Sequence, residues 1–558
     1  MITKRMVIGL PLLAVLITLG GWQGGAQRPH TVTVQLLAIN DLHGNLEPPE
    51  GADGLVNQTP AGGAEYLATH IHNAVRENPN SILVGAGDLM GASPLISGLF
   101  HDGPTIDALN AMNLAVTSIG NHELDHGPAE LLRRIQGGCL AEAGCNGGEK
   151  SEAAHFQYLA ANVVRTKESS EPILPATAVR TVGGVKIGFI GETLQGTAQL
   201  IPSSSAEGLQ FLEESGVANR AAARLEREGV HAIVLLIHQG GRQRPENGPA
   251  DPNGCVNFEG GLLSVVNKLS PSIKVVISAH THQFYNCEIG GHAVTSAGSF
   301  GRLLTRVNLT IDQDTDTIAA VGAKNEVVTR DVPKDAAQTA ILERFRPGMA
   351  RVAGRIVGSV SGGIGRVLNE AGESALGDVI ADAQLASVSA PDKGGAVVAF
   401  INEGGIRAEI AGPAGSNGPR QVSYGDLYKL LPFANQVTVI TMTGDMIRRL
   451  LEQQFPSEGS PYILQVSDGF TYRYKLHAPA GQHVVTGSIA LHGRPIAPAD
   501  QVRVEANDFL AAGSEGFTVF REGSNPYVGP TDIDALVEYF GAHSPVAPGL
   551  QNRIVRVD

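Results

Sequence analysis

Between residue 31 and about residue 330 the chain alternates short, continuous apolar runs with stretches of helical period. The runs are Val32–Ile39, Ile82–Gly85, Val116–Ile119, Val185–Ile190, Ile233–Ile237 and Val275–Ile277. Runs this short, rich in Val and Ile and bounded by polar or glycine positions, predict strands. Their alternation with helical patterns predicts a layered α/β domain. Residues 334–352 carry a helical pattern with a charged face, interrupted by Pro347, and predict a connecting helix. A second pattern starts near residue 356. It predicts a helix over Asp378–Val388, a strand over Ala396–Asn402, strands over Phe470–Tyr474 and His483–Leu491, and a late helix over Asp532–Phe540. The expected organisation is a first domain at 31–332, a helical linker at 333–355 and an α+β second domain at 356–552.

Ahead of this pattern stands a different segment. Lys4 and Arg5 precede an apolar stretch, Met6 to Leu19, followed by the small residues Gly24, Gly25 and Ala26. The stretch is shorter than the roughly 20 residues a membrane span needs. It reads as a signal peptide, residues 1–26, removed after Ala26. The protein is then expected to be periplasmic or secreted, with no membrane association after cleavage. Removing Lys4 and Arg5, with no acid beside them, takes the formal net charge from -14 to -16. That charge argues against nucleic acid or anionic lipid as a partner, so any phosphate must be held by local cations. The four cysteines, Cys139, Cys145, Cys255 and Cys287, all follow the leader, and in an exported chain they predict disulfides. Three pairings are open; the sequence-near one, Cys139–Cys145 with Cys255–Cys287, is expected.

Five apolar runs of the first domain end in residues that bind metals. They end in Asp41-Leu42-His43, Gly87-Asp88, Gly120-Asn121-His122-Glu123-Leu124-Asp125, His238, and His280-Thr281-His282. In open α/β sheets, sites gather at the carboxyl ends of strands, so five such endings converge on one crevice. Asp and Asn offer hard oxygens and His offers imidazole nitrogen, a set that suits Zn, Mn, Fe or Co. Asp88, alone on its loop, is the natural bridge between two ions.

These residues resemble the calcineurin-like metallophosphoesterase superfamily, and the second domain narrows the resemblance to its two-domain 5'-nucleotidase family. The resemblance implies a four-layer αββα sandwich followed by an α+β substrate-binding domain. It implies that Asp41, His43, Asp88 and His282 hold one divalent ion, and that Asp88, Asn121, His238 and His280 hold the other. It also implies a catalytic pair: His122 faces the leaving oxygen and Asp125 orients its imidazole. Glu123 and His126 are expected to be structural or to support the ligands.

The second domain has no metal motif but holds aromatic and basic residues in glycine-rich loops. Arg407 follows Asn402-Glu403-Gly404-Gly405-Ile406 and offers a planar fork to phosphate. Phe433 stands near Asn435, and Phe509 lies in Asn507-Asp508-Phe509-Leu510 before Gly513-Ser514-Glu515-Gly516. Two such aromatics can sandwich a flat base. The resemblance gives the stacking roles to Phe433 and Phe509, a base contact to Asn435 and a phosphate contact to Arg407. Where the family has Gly-Gly-Asp-Gly, with the Asp on the ribose hydroxyls, Glu515 stands one methylene longer. Arg366 is a further arginine with no assigned place.

The expected activity is hydrolysis of 5'-nucleotides, as in nucleotide catabolism, by an exported monomer. Two alternatives use the same metals: a 2',3'-cyclic-nucleotide 2'-phosphodiesterase and a nucleotide-sugar pyrophosphatase. Relatives that act on sulfur-linked substrates have no use for a stacking pair. A non-enzymatic nucleotide-binding surface protein is disfavoured because Asp88, Asn121 and His122 are all present.

Overall fold

The computed structural model describes residues 30–139, 152–166, 171–246, 248–413, 418–433, 435–456 and 461–558. The expected leader, and Cys145 of the expected Cys139–Cys145 pair, lie outside them. The other expected disulfide is formed: Cys255 is bonded to Cys287, with 5.1 Å between their Cα atoms.

Two six-stranded sheets form the centre of the first domain. In one, strand Thr31–Ile39 pairs parallel with Ser81–Ala86 and antiparallel with Leu303–Asp312. Leu114–Ser118 and Gln157–Leu159 extend the parallel side, and Thr317–Val327 forms the opposite edge. In the other, the order is Phe284–Ile289, His292–Ala297, Ile273–Ser278, Ala232–His238, Val185–Thr193 and Thr177–Val182. Alternate residues of each strand serve two cores. Leu36, Ala38, Val84, Val234 and Leu236 meet between the sheets. Leu37, Ile39 and Leu83 pack outward under helices Ala64–Glu77 and Gly103–Ala111. Ile233, Leu235 and Ile237 pack outward under helix Glu214–Arg227. The result is helix, sheet, sheet, helix, and burial on both faces is why these strands read as unbroken apolar runs.

The connecting helix runs from Ala336 to Ala353, and Asp335 caps it by accepting from the N–H groups of Ala337 and Gln338, each at 3.0 Å. It lies on the helices of the first domain through buried Leu342 and a Gln338 bond to the Ala108 carbonyl (3.0 Å).

The chain then builds a five-stranded sheet in the order Gln465–Val466, Val398–Ile401, Gln501–Asn507, Gln436–Thr443 and Ser524–Thr531. Helices Ala375–Val388 and Asp532–His543 cover one face, and helix Gly444–Glu452 covers the other. The expected strand over His483–Leu491 is reduced to Ala490–Leu491. The carboxylate of Glu452 takes the N–H groups of His483 and Val484 at 3.1 and 2.8 Å, and Gly487, with φ 73°, turns the chain. Among the described residues, no helix is long and apolar enough to cross a membrane.

Candidate active site

The two sheets bring their polar strand ends together. His238 ends its strand with the same parity as Val234 and Leu236, so its ring points between the sheets, where Nε2 lies 2.9 Å from Asp88 Oδ2. His43 Nε2 lies 3.7 Å from the same oxygen and 3.1 Å from His282 Nε2. His282 Nε2 is 3.6 Å from Asp41 Oδ1, and His280 Nδ1 is 3.2 Å from Asn121 Oδ1. Asp41, His43 and His282 form one group able to hold an ion, and Asp88, His238 and His280 form another. All seven sequence-predicted ligands therefore lie in one cluster, with Asp88 between the halves.

Backbone strain is concentrated here. Asp41, His43, Asp88, His280 and His282 all have left-handed φ, from 46° to 75°. This conformation costs a non-glycine residue on the order of 1–3 kcal/mol and persists only where the surroundings enforce it. Glu123 supplies part of that enforcement. Its buried carboxylate accepts from the N–H groups of Asp88, Leu89 and Gly120 at 2.8, 2.9 and 2.6 Å, tying two ligand loops together.

The ring orientations suit metal. His43 Nδ1 faces the Gly91 carbonyl and His238 Nδ1 faces the Ala86 carbonyl, each at 2.9 Å, so Nδ1 is the donor in both rings and Nε2 is turned toward the cluster. Burial pulls His238 down, but Asp88 more than offsets this and raises it to about 9, so without metal a proton on Nε2 faces Asp88 Oδ2. Burial holds His43 down at about 3 and His282 well below the ordinary imidazole value. Burial likewise holds His280 at about 3. Burial would raise Asp88, but the facing imidazoles, His238 foremost, hold it well below the carboxylate range. The donor set and its geometry thus fit divalent metal.

His122 sits beside the cluster. Its Nδ1 donates to Asp125 Oδ2 at 2.8 Å, and its backbone N–H donates to Asp88 Oδ1 at 2.8 Å. Burial pulls its pKa down, but Asp125 and Asp88 more than offset this and leave it raised.

A cavity of about 630 Å³ opens over the cluster, and both domains line it. The first contributes Asp88, Asn121, His122, His280 and His282; the second contributes Arg407, Phe433, Asn435, Phe509 and Glu515. All the sequence-predicted substrate residues are therefore on its wall. Phe433 lies over His122, with ring centroids 5.5 Å apart and 22° between planes, and the Arg407 guanidinium lies 5.7 Å from the Phe433 centroid. Glu515, at φ 53°, accepts from Asn402 Nδ2 at 3.0 Å, and burial pushes its carboxyl up to about 7. Arg366 is near enough to help depress the pKa of Arg407, after burial, and pairs with Asp53 at 3.5 Å.

Sequence reasoning missed several participants. Leu200, Pro202, Ser204 and Ser205 line the cavity from a segment without a motif, ending in the short helix Ser203–Ala206. Asn402 and Tyr462 hold the Glu515 loop, and Tyr462 OH accepts from Gly404 N at 2.7 Å. Only the Gly-rich setting of Asn402 offered a signal.

Residues 34–284 match the family described as calcineurin-like phosphoesterase, and residues 356–522 match the 5'-nucleotidase C-terminal domain. The chain belongs to the two-domain 5'-nucleotidase family of calcineurin-like metallophosphoesterases. It is 31% identical over 539 residues to cell wall protein Lmo0130 of Listeria monocytogenes, covering 91% of this chain and 67% of that one. It is 30% identical over 534 residues to endonuclease YhcR of Bacillus subtilis, covering 94% of this chain and 41% of that one. It thus spans less than half the length of YhcR. A 5'-nucleotidase precursor from Thermus thermophilus shares the two-domain fold, with a TM-score of 0.74, 24% identity, and coverage of 94% of this chain and 100% of that one.

Proposed function

We propose that this protein is an exported phosphohydrolase that uses two divalent metal ions to release phosphate from 5'-nucleotides. The observation that carries the reading is the shared wall of the cavity. Phe433, an aromatic suited to a nucleobase, lies directly against His122, beside a cluster suited to metal. By this reading Asp41, His43, Asp88 and His282 hold one ion, and Asp88, Asn121, His238 and His280 hold the other. When bound, the ions polarise the phosphoryl group and supply a water acidic enough to attack near neutral pH.

The chain's own residues do the rest. Arg407 presents its guanidinium to the phosphate oxygens, and Arg366 adds positive charge behind it. His122 holds a proton at Nε2 for the departing 5'-oxygen, while Asp125 fixes the ring through Nδ1 and favours its charged form. Phe433 and Phe509 hold the base, Asn435 reads its edge, and Glu515 faces the sugar. The apolar start of the chain, the Cys255–Cys287 disulfide and the likeness to a cell wall protein support export.

The test is phosphate release by metal-loaded protein from AMP and UMP, compared by kcat/KM with 2',3'-cyclic AMP and a nucleotide sugar. The reading expects the 5'-monophosphates to lead. No release from any of them contradicts it.

A further inference from the structure

Asn40 is buried, precedes Asp41 and is absent from every motif above. It nonetheless spends its whole amide on the metal cluster's frame. Its Nδ2 donates to Asp41 Oδ2 and to the Gly298 carbonyl, both at 2.7 Å, and its Oδ1 accepts from Ala297 N at 2.8 Å. Asn40 lies at the end of the central strand of one sheet, and Ala297 ends strand His292–Ala297 of the other. One side chain therefore bolts the two sheets together at the cluster.

The bonds also orient Asp41. Asp41 Oδ2 receives the Asn40 amide, the His280 N–H is shared between Oδ2 and Oδ1 at 3.0 and 3.1 Å, and Oδ1 faces His282 Nε2 at 3.6 Å. The Asp41 backbone is held at φ 46°, and its carbonyl accepts from Phe300 N at 2.7 Å. The His280 N–H and the Asn40 amide together fix the rotation of the carboxylate, and Asn40 alone of the two also ties it to the end of strand His292–Ala297.

We infer that Asn40 is a positioning residue for the ion held by Asp41, His43 and His282, setting occupancy of that half of the site without touching it. This rests on the two-ion reading. The chemistry explains the residue type: ionised aspartate cannot donate, and would place a second negative charge against Asp41 Oδ2. Groups that hold metal-ligating side chains typically cost about 10–100-fold in metal affinity when removed.

The test is Mn(II) binding by equilibrium dialysis, with EPR of the loaded protein, on wild type, Asn40→Ala and the isosteric Asn40→Asp. Circular dichroism confirms that each is folded. Wild type should bind two Mn(II) ions and show the signal of a magnetically coupled pair. Both variants should keep one tight ion, lose about 10–100-fold in affinity for the other, and lose the coupled signal at limiting metal. High Mn(II) should restore that signal in Asn40→Ala. A folded variant of either kind that binds two ions as tightly as wild type overturns the inference. A wild type that binds one ion overturns the two-ion reading itself, a result read before any variant is compared.

Discussion

Phe433 of the second domain stacks on His122 of the first, with 5.5 Å between ring centroids. The contact puts the residue expected to hold the base on top of the residue expected to protonate the leaving group. Recognition and chemistry are thereby joined through a pair separated by more than 300 positions in the sequence. Phe433→Ala should raise KM for AMP, since loss of one base–aromatic stack costs about 1–3 kcal/mol, or roughly 5–150-fold. Ribose 5-phosphate, which has no base, should show little change in KM. Equal losses for both substrates would contradict the stacking role.

The His122–Asp125 bond gives a graded prediction. His122→Ala should lower kcat by about 10²–10⁴-fold, the usual range for a positioned acid. Asp125→Asn keeps an acceptor for Nδ1 but removes the charge, so its kcat should fall less. Bound metal, measured by elemental analysis, should be unchanged in both. Loss of metal in the His122 variant would make it a ligand instead.

Glu515 gives a pH prediction. Burial, partly countered by Tyr462, Asn402 and Arg407, raises its carboxyl from 4.5 to about 7 in the folded protein. A group that holds its proton more tightly when folded contributes stability that is complete below about 4.5 and lost as pH rises through about 7. Glu515→Gln cannot ionise. Relative to wild type its Tm should therefore be higher at pH 8 than at pH 5. A Tm difference that does not vary with pH contradicts the assigned burial.

Cys255 and Cys287 lie 32 residues apart in sequence and join the loop after His238 to the strand after His282. Closing a loop of this length stabilises by about 3–4 kcal/mol through the unfolded chain. The Cys255→Ser/Cys287→Ser variant should unfold at lower denaturant by a corresponding amount, measured by tryptophan-independent far-UV dichroism. An unchanged midpoint would mean the bond contributes nothing to stability.

Much of the site was legible because its residues follow strand ends. Asp41, Asp88, Asn121, His238 and His280 each close an apolar run, and the parallel pairing of those runs brings their ends to one rim. The cavity wall was harder to read. The 200–205 segment touches the second domain only through tertiary packing, as in the Ser514 Oγ bond to the Ile201 carbonyl at 3.4 Å, and no local pattern encodes that. Asn40 was hidden for a different reason: its partners Ala297 and Gly298 are more than 250 residues away and bond through their backbone, which leaves no mark in side-chain identity. The 483–491 segment misled because its apolar residues look like a strand, while the Glu452 carboxylate takes its N–H groups.

The proposed function requires seven side chains to hold two ions, with Asp88 common to both. Anomalous diffraction from a Mn-loaded crystal tests it most directly. Two peaks are expected, one among Asp41, His43, His282 and Asp88, the other among Asp88, Asn121, His238 and His280. A single peak, or none within reach of Asp88, would contradict it.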